Sequence, residues 1–150
     1  VLVREILKTK GAAVQGISRH LAVGEIIKIL ADKRIGTVLV TEHENRLAGI
    51  ISERDIIKYL ALRGAGALEM QAEEIMTQRV VTCTSATILE NALEQMRNHK
   101  IRHLPVVDDG VLVGIISTRD LLAAQKELLK KDSEKWGRVS NAVLKDLQFN

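Results

Sequence analysis

The sequence predicts an α/β (α+β) chain built from two β-α-β-β-α repeats and a C-terminal helix. Three observations carry this. Gly49-Ile50-Ile51-Ser52-Glu53-Arg54-Asp55 returns as Gly114-Ile115-Ile116-Ser117-Thr118-Arg119-Asp120, with six identities in seven at a spacing of 65 residues. The apolar segment before each copy also matches, Ile35-Gly36-Thr37-Val38-Leu39-Val40 with Ile101-Arg102-His103-Leu104-Pro105-Val106, at an offset of 66. Further upstream, Glu5-Ile6-Leu7 matches Glu74-Ile75-Met76 at an offset of 69. The drifting offset places small insertions in two loops of the first repeat, where insertions are tolerated. Two copies indicate a duplication rather than a solenoid, which needs three or more.

Residues 14–17 and 80–83 read as short strands opening each repeat. Val23, Ile26, Ile27 and Leu30 then recur at helical spacing, as do Leu89, Ala92, Leu93 and Met96, giving two amphipathic helices. Ser85 or Thr87 stands where it could cap the second. An apolar strand follows, over residues 37–41 or 103–107. The next turn in repeat 2 contains Asp109-Gly110, a hairpin signal because both residues tolerate positive φ. Repeat 1 has the looser Glu42-His43-Glu44-Asn45-Arg46. A second strand, over residues 47–51 or 111–116, runs into a helix beginning at Ser52 or Ser117. Residues 61–71, with Gly64 and Gly66, read as the linker. The divisions are therefore residues 1–66, 67–129 and 130–150. Residues 130–135 are a charged, solvated stretch, after which Val139, Val143, Leu144 and Leu147 resume a helical stripe. The stripe is expected to dock on its own domain, since most such stripes face a core. The alternative is a lid over a partner subunit.

Composition narrows the function. Hydrophobic residues make up 46% of the 150 and charged residues 27%, as in a globular unit that buries about 70% of its unfolded surface. Trp136, Tyr59 and Phe149 are the only aromatics, too few for the stacking platforms that grip single-stranded nucleic acid. The net charge of +3 is interleaved with acid and forms no dense basic stripe. A basic helix over residues 126–138 is the weaker nucleic-acid alternative, so no nucleic-acid partner is expected. No apolar run approaches the roughly 18 residues that span a bilayer, and no membrane partner is expected. No signal-peptide pattern opens the chain, although Val1 rather than Met comes first and leaves open what precedes it. Cys83 is the only cysteine and can form no internal disulfide, which fits a reducing cytoplasm.

The repeated heptapeptide has two uses. Ser-x-x-Asp is a helix start in which serine caps and aspartate favours the positive end. The same start can hold a phosphate, through backbone N–H groups and partial positive charge. Ser52 and Ser117 add a hydroxyl, and Arg54 and Arg119 add a planar donor fork. Asp55 and Asp120 can accept from two adjacent ribose hydroxyls, as carboxylates do in dinucleotide sites. Gly49 and Gly114 allow close approach of a backbone or ligand.

With these motifs in place, the span from Val3 to Leu129 resembles a tandem pair of CBS domains. The glycine, apolar pair, Ser, two free positions and Asp occur twice without defect. Residues 101–107 resemble the family's second strand, and Glu74-Ile75-Met76 its opening. The resemblance implies a pseudo-twofold pair of repeats that dimerises and binds AMP, ADP, ATP or related adenosyl ligands between them, as a sensor acting on an unidentified regulated protein. AMP is the leading ligand, with NAD a secondary possibility. It further implies that Asp55 and Asp120 hold ribose and that Ser52, Arg54, Ser117 and Arg119 face phosphate. Ala12, Ala13, Ile35 and Gly36 would surround adenine at the Asp120 site, and Thr77, Arg79, Val80 and Ile101 at the Asp55 site. Arg102 and His103 match positions that reach phosphate. Repeat 1 has uncharged Gly36 and Thr37 there, so the two sites are expected to differ, with the more charged ligand in the cleft that collects Arg102 and His103. The competing function is a structural dimerisation or scaffold domain without ligand.

Catalysis and metal binding have no residues to carry them. His99 and His103 are four apart, but the second lies on a strand and no Cys or carboxylate completes a metal set. Cys83 has no histidine placed to activate it and reads as a small buried apolar residue. No Walker-type loop, GxGxxG or HExxH is present.

Overall fold

The computed structural model describes residues 1–11, 14 and 16–148. The first repeat contains helix α1 (Val3–Lys10), strand β1 (Ile17–Ser18), α2 (Val23–Lys33), β2 (Thr37–Glu42), β3 (Arg46–Ser52) and α3 (Glu53–Arg63). The second contains α4 (Ala72–Ile75), α5 (Leu89–His99), β4 (His103–Asp108), β5 (Val111–Ser117) and α6 (Thr118–Gln148). This is the expected α+β architecture.

Both hairpins form with matched register. Val40 pairs with Gly49 and Val106 with Gly114, and each hairpin carries a bulge just after that pair. Asp109 and Gly110 both have positive φ, 50° and 82°, as a two-residue primed turn requires. The looser first turn is a single 3-10 turn at His43–Asn45, tied to the other hairpin by Asn45 Nδ2 donating to the Leu112 carbonyl at 2.8 Å. The strands run in the order β1-β2-β3-β5-β4, and the two hairpins meet through one antiparallel pair, Arg46 with Val111.

The opening strands are shorter than expected. β1 is two residues, parallel to β2. Residues 80–83 form only one bridge, Cys83 with Val106, where Cys83 N–H donates to Pro105 O and Val107 N–H to Cys83 O. The next rung of a parallel ladder would need an N–H from Pro105, and proline has none. The linker is also more ordered than expected. Helix α3 runs to Arg63, and a 3-10 segment over Gly64–Glu69 follows, with Ala67 fully buried.

There are two cores, and each repeat's opening helix crosses into the other's. Val3, Ile6 and Leu7 of α1 are buried with Leu89, Met96, Leu104, Val106, Ile116 and Leu121. Ala72 and Ile75 of α4 are buried with Val23, Ile26, Val38, Val40 and Ile51. Backbone bonds lock both crossings: Val3 N–H to Thr87 O at 2.9 Å, and Ala72 N–H to Leu21 O at 2.8 Å. The equivalence of the two crossings is the pseudo-twofold relation. It also explains the motif glycines. An added Cβ at Gly49 would lie 2.7 Å from Met76 Sδ and 2.9 Å from Thr77 O, and at Gly114 it would lie 2.6 Å from Leu7 Cδ2. The close neighbour is the crossing segment in both cases.

The C-terminal region departs most from expectation. No break falls near Leu129; α6 is one helix of 31 residues. Lys, Glu and Asp of residues 130–135 are compatible with a helix whose backbone needs no partner there, so charge alone does not end it. The stripe does not dock on its own domain. Trp136 is 70% exposed and Val143 51%, with Val139 and Leu144 similarly open. The side chain of Leu147 lies outside the described part.

Candidate functional site

The two strand-to-helix junctions are built alike. Ser52 N–H donates to Asp55 Oδ2 at 2.9 Å, and Asp55 N–H to Ser52 Oγ at 3.3 Å. Ser117 N–H donates to Asp120 Oδ2 at 2.8 Å, and Asp120 N–H to Ser117 Oγ at 3.1 Å. Both are capping boxes, which satisfy helix-end donors reciprocally. The first helical N–H is also taken: Glu53 donates to Gly36 O and Thr118 to Arg102 O. The capping use of the heptapeptide is thus realised, and most of the backbone donors expected for phosphate are already paired. Oδ1 of each aspartate accepts no hydrogen bond among the described residues, so one carboxylate oxygen remains for a ligand.

A cavity of about 400 Å³ lies between the repeats, a size suited to a small ligand. The first repeat lines it with Ile35 and Gly36, and the second with His103 and Ile115. Apolar walls come from Val14, Ile17, Ile29, Val38 and Leu39, and cationic groups from Lys10, Lys33 and Arg34. The αL cap at Arg34, φ 53°, turns the chain from α2 into β2 and sets Lys33, Arg34, Ile35 and Gly36 on one wall. The surface offers an apolar floor for a flat ring and positive charge for an anion.

The expected residues separate into groups. Ile35, Gly36 and His103 come together in this cavity. Ala12 and Ala13 lie outside the described residues. Asp120 lines a neighbouring groove of about 610 Å³ between α1 and α6, and it meets the cavity through Lys10, which lines both. Lys10 Nζ donates to Asp120 Oδ2 at 2.7 Å and to Ile115 O at 3.0 Å. Ser117 is half-buried in its cap, while Arg119 and Arg102 are exposed and outside the cavity lining. At the other junction, Asp55 and Ser52 are half-buried and Arg54 is exposed. Thr77 is drawn onto β3 by exchanging backbone bonds with Ile50, at 3.0 and 2.9 Å. Arg79 is exposed, Val80 half-buried, and Ile101 packs on the second core.

Sequence reading missed Lys10, Lys33 and Arg34. The last two stood next to the expected Ile35-Gly36, so proximity could have flagged them. Lys10 had no such signal, because its partner is 110 residues away. Electrostatics follow from this grouping. Burial, then Lys10 and Arg102, lower the His103 pKa against the opposing pull of Asp120. Burial works against the Asp120 carboxylate, but hydrogen bonds from Lys10 and Ser117 outweigh it and hold the pKa below its ordinary value. Burial, with Asp108 nearby, pushes the Cys83 thiol up to about 11, so at neutral pH it is an unreactive thiol. Among the described residues, no cluster of three His, Cys, Asp or Glu could hold a metal ion. No described helix is long and apolar enough to cross a membrane.

Comparison with known proteins agrees with this geometry. The family profile described as the CBS domain matches residues 12–62 and 72–127. A 17.7 kDa protein of Acidianus ambivalens is 33% identical over 142 residues, which are 94% of this chain and 81% of that one. The mitochondrial CBS domain-containing protein CBSX3 of Arabidopsis thaliana is 27% identical over 130 residues, 81% of this chain and 63% of that one. Among solved structures, a CBS-domain containing protein of Agrobacterium tumefaciens superposes with a TM-score of 0.73 at 34% identity, covering 83% of this chain and 99% of that one. The CBS domain pair of protein MJ0100, solved with 5′-methylthioadenosine and S-adenosyl-L-methionine, superposes with a TM-score of 0.65 at 28% identity, covering 85% and 97%. The duplicated junctions, the crossed opening helices and these matches together make this chain a member of the CBS-domain family, present as a tandem pair.

Proposed function

We propose that this chain is a non-catalytic regulatory module that binds an adenine nucleotide between its repeats. AMP is the favoured ligand, with ADP, ATP and NAD as alternatives. The observation that carries this is the cavity walled by both repeats, lined by apolar side chains and three cations, one of which, Lys10, is bonded to Asp120. The apolar walls suit adenine, the cations suit phosphate, and the free Oδ1 of Asp120 in the adjoining groove suits ribose. The adenosyl ligands held by the MJ0100 pair support the same class of ligand. Ligand that binds only the folded state raises the unfolding midpoint. AMP is therefore expected to raise the midpoint in a thermal-shift series of AMP, ATP, NAD and S-adenosylmethionine. No shift with any of the four at millimolar concentration would replace this function with a scaffold domain.

We further propose that the chain works as a homodimer acting on a regulated protein. Leu122, Leu129, Trp136 and Val143 recur every seven residues on one flank of α6, and all four are more than half exposed. Seven-residue recurrence suits pairing with another helix. Trp136→Glu is expected to convert a dimer to a monomer in sedimentation. A monomeric wild-type chain at the same concentration would remove the dimer.

A further inference from the structure

Lys10 belongs to the first repeat by sequence but is delivered to the second repeat's junction by the crossing of α1. Its ammonium sits 2.7 Å from Asp120 Oδ2 and 3.0 Å from the Ile115 carbonyl. The pair is partly shielded, with side chains 35% and 21% exposed. The same ammonium lines the cavity between the repeats, so it stands between the ribose-binding carboxylate and the space where a nucleotide would lie. Among the described residues the first junction has no such contact. The matching residue at an offset of 69 is Arg79, which is exposed and forms no ion pair among the described residues, and Asp55 instead takes the Ser52 hydroxyl at 3.0 Å.

We propose that Lys10 is a specificity residue with two positions, one on Asp120 and one on the phosphate of a bound nucleotide, so that the Asp120 cleft selects phosphorylated nucleosides over neutral ones. The proposal rests on the nucleotide-binding function above and names the ligand class of that cleft. Asp120 cannot present both carboxylate oxygens to ribose while Lys10 holds one. A ligand with a phosphate offers the ammonium a second anion, within reach of its flexible four-carbon stem. Lys33 and Arg34, which line the same cavity, add positive charge to keep that phosphate there. A neutral nucleoside offers no anion, so it gains Oδ2 only by breaking the Lys10–Asp120 pair without replacement and otherwise has Oδ1 alone. Specificity is the difference between these two affinities.

The test is calorimetry with AMP and 5′-methylthioadenosine, which share adenosine and differ in the charged group. It is run in an Asp55→Asn background, so that the Asp120 cleft is the one titrated. Lys10→Met keeps the stem and removes the charge, and α1 remains seated by Val3, Ile6 and Leu7. The ratio of AMP to 5′-methylthioadenosine affinity is expected to fall at least about tenfold in Lys10→Met, since a partly buried charge pair to phosphate is lost. Lys10→Arg is expected to restore most of it. Should Lys10→Met unfold, Lys10→Gln serves with the same expectation. A ratio within about twofold of the parent overturns the role of Lys10 while leaving nucleotide binding intact. Binding of neither compound by the parent overturns the nucleotide-binding function itself, and the selectivity with it.

Discussion

Asp55→Ala combined with Asp120→Ala is expected to lower AMP affinity at least about a hundredfold in calorimetry. A hydrogen bond to a charged group contributes about 1.5–3 kcal/mol, and two ribose hydroxyls on one carboxylate therefore contribute at least about 3 kcal/mol, or about two decades in affinity. The structure adds a complication that has to be separated. Each aspartate also holds its helix start, through Ser52 and Asp55 or Ser117 and Asp120. Losing a capping residue costs about 1 kcal/mol of stability per helix, and a looser helix could weaken binding indirectly. Ser52→Ala with Ser117→Ala provides the comparison. It removes the caps and keeps both carboxylates, so the unfolding midpoint should fall by a similar amount while AMP affinity drops about tenfold, the lower end of what one hydrogen bond to a charged phosphate contributes. Equal affinity loss in the two pairs would assign the heptapeptide to helix capping alone. Unchanged AMP affinity in the aspartate pair would remove these residues from the ribose.

Gly49→Ala is expected to cost about 3 kcal/mol in urea denaturation, and Gly114→Ala about 1–2 kcal/mol, because inserting atoms into a filled core costs about 1–3 kcal/mol. The ranking comes from what each new Cβ meets. At Gly49 it meets the Thr77 carbonyl oxygen at 2.9 Å as well as Met76 Sδ. That carbonyl accepts from Ile50 N–H, so it cannot withdraw without breaking the pairing of the crossing segment. At Gly114 the nearest atoms are the terminal methyls of Leu7, which can turn in part. Leu7→Ala should therefore rescue Gly114→Ala, with a coupling energy above about 0.5 kcal/mol in the double-mutant cycle, as for residues in direct contact. Met76→Ala should rescue Gly49→Ala much less, since the carbonyl remains. Additive costs at Gly114 and Leu7 would mean that the glycine does not exist to seat α1.

Much of the fold was legible because it follows from short-range chemistry. Asp109-Gly110 predicted its hairpin from the φ angles those residues tolerate, and both angles are found positive. The helical stripes at Val23, Ile26 and Leu30 and at Leu89, Ala92 and Met96 became the buried faces of α2 and α5. Pro105 was visible too, but its effect was not. A missing N–H shortens a strand only when a neighbouring strand would have used it, and the neighbour is 22 residues upstream at Cys83. The candidate site was legible in part. Ile35, Gly36 and His103 meet in one cavity, whereas Arg119 and Arg102 lie outside it. Side-chain direction at the start of a helix depends on the elements packed around it, and motif spacing does not contain that.

The hairpins, the Asp109-Gly110 turn, the buried stripes of α2 and α5 and the Ser-x-x-Asp caps were determined by the sequence alone, since each depends on residues within about one helix or one hairpin of each other, and the duplication showed directly as identities 65 residues apart. The opening helices α1 and α4 were not foreseen. Tertiary structure decided the rest. The crossing of α1 and α4 exchanges the two cores, and that exchange brings Lys10 to Asp120 across 110 residues. No local periodicity distinguishes a helix that packs on its own repeat from one that packs on its twin, because both bury the same apolar face. The motif glycine on the twin's hairpin leaves room for each crossing segment. Continuity of α6 was decided the same way. Its first turns are anchored by Leu121 in the second core, and the helix then runs on through residues whose charge gives the backbone no reason to stop.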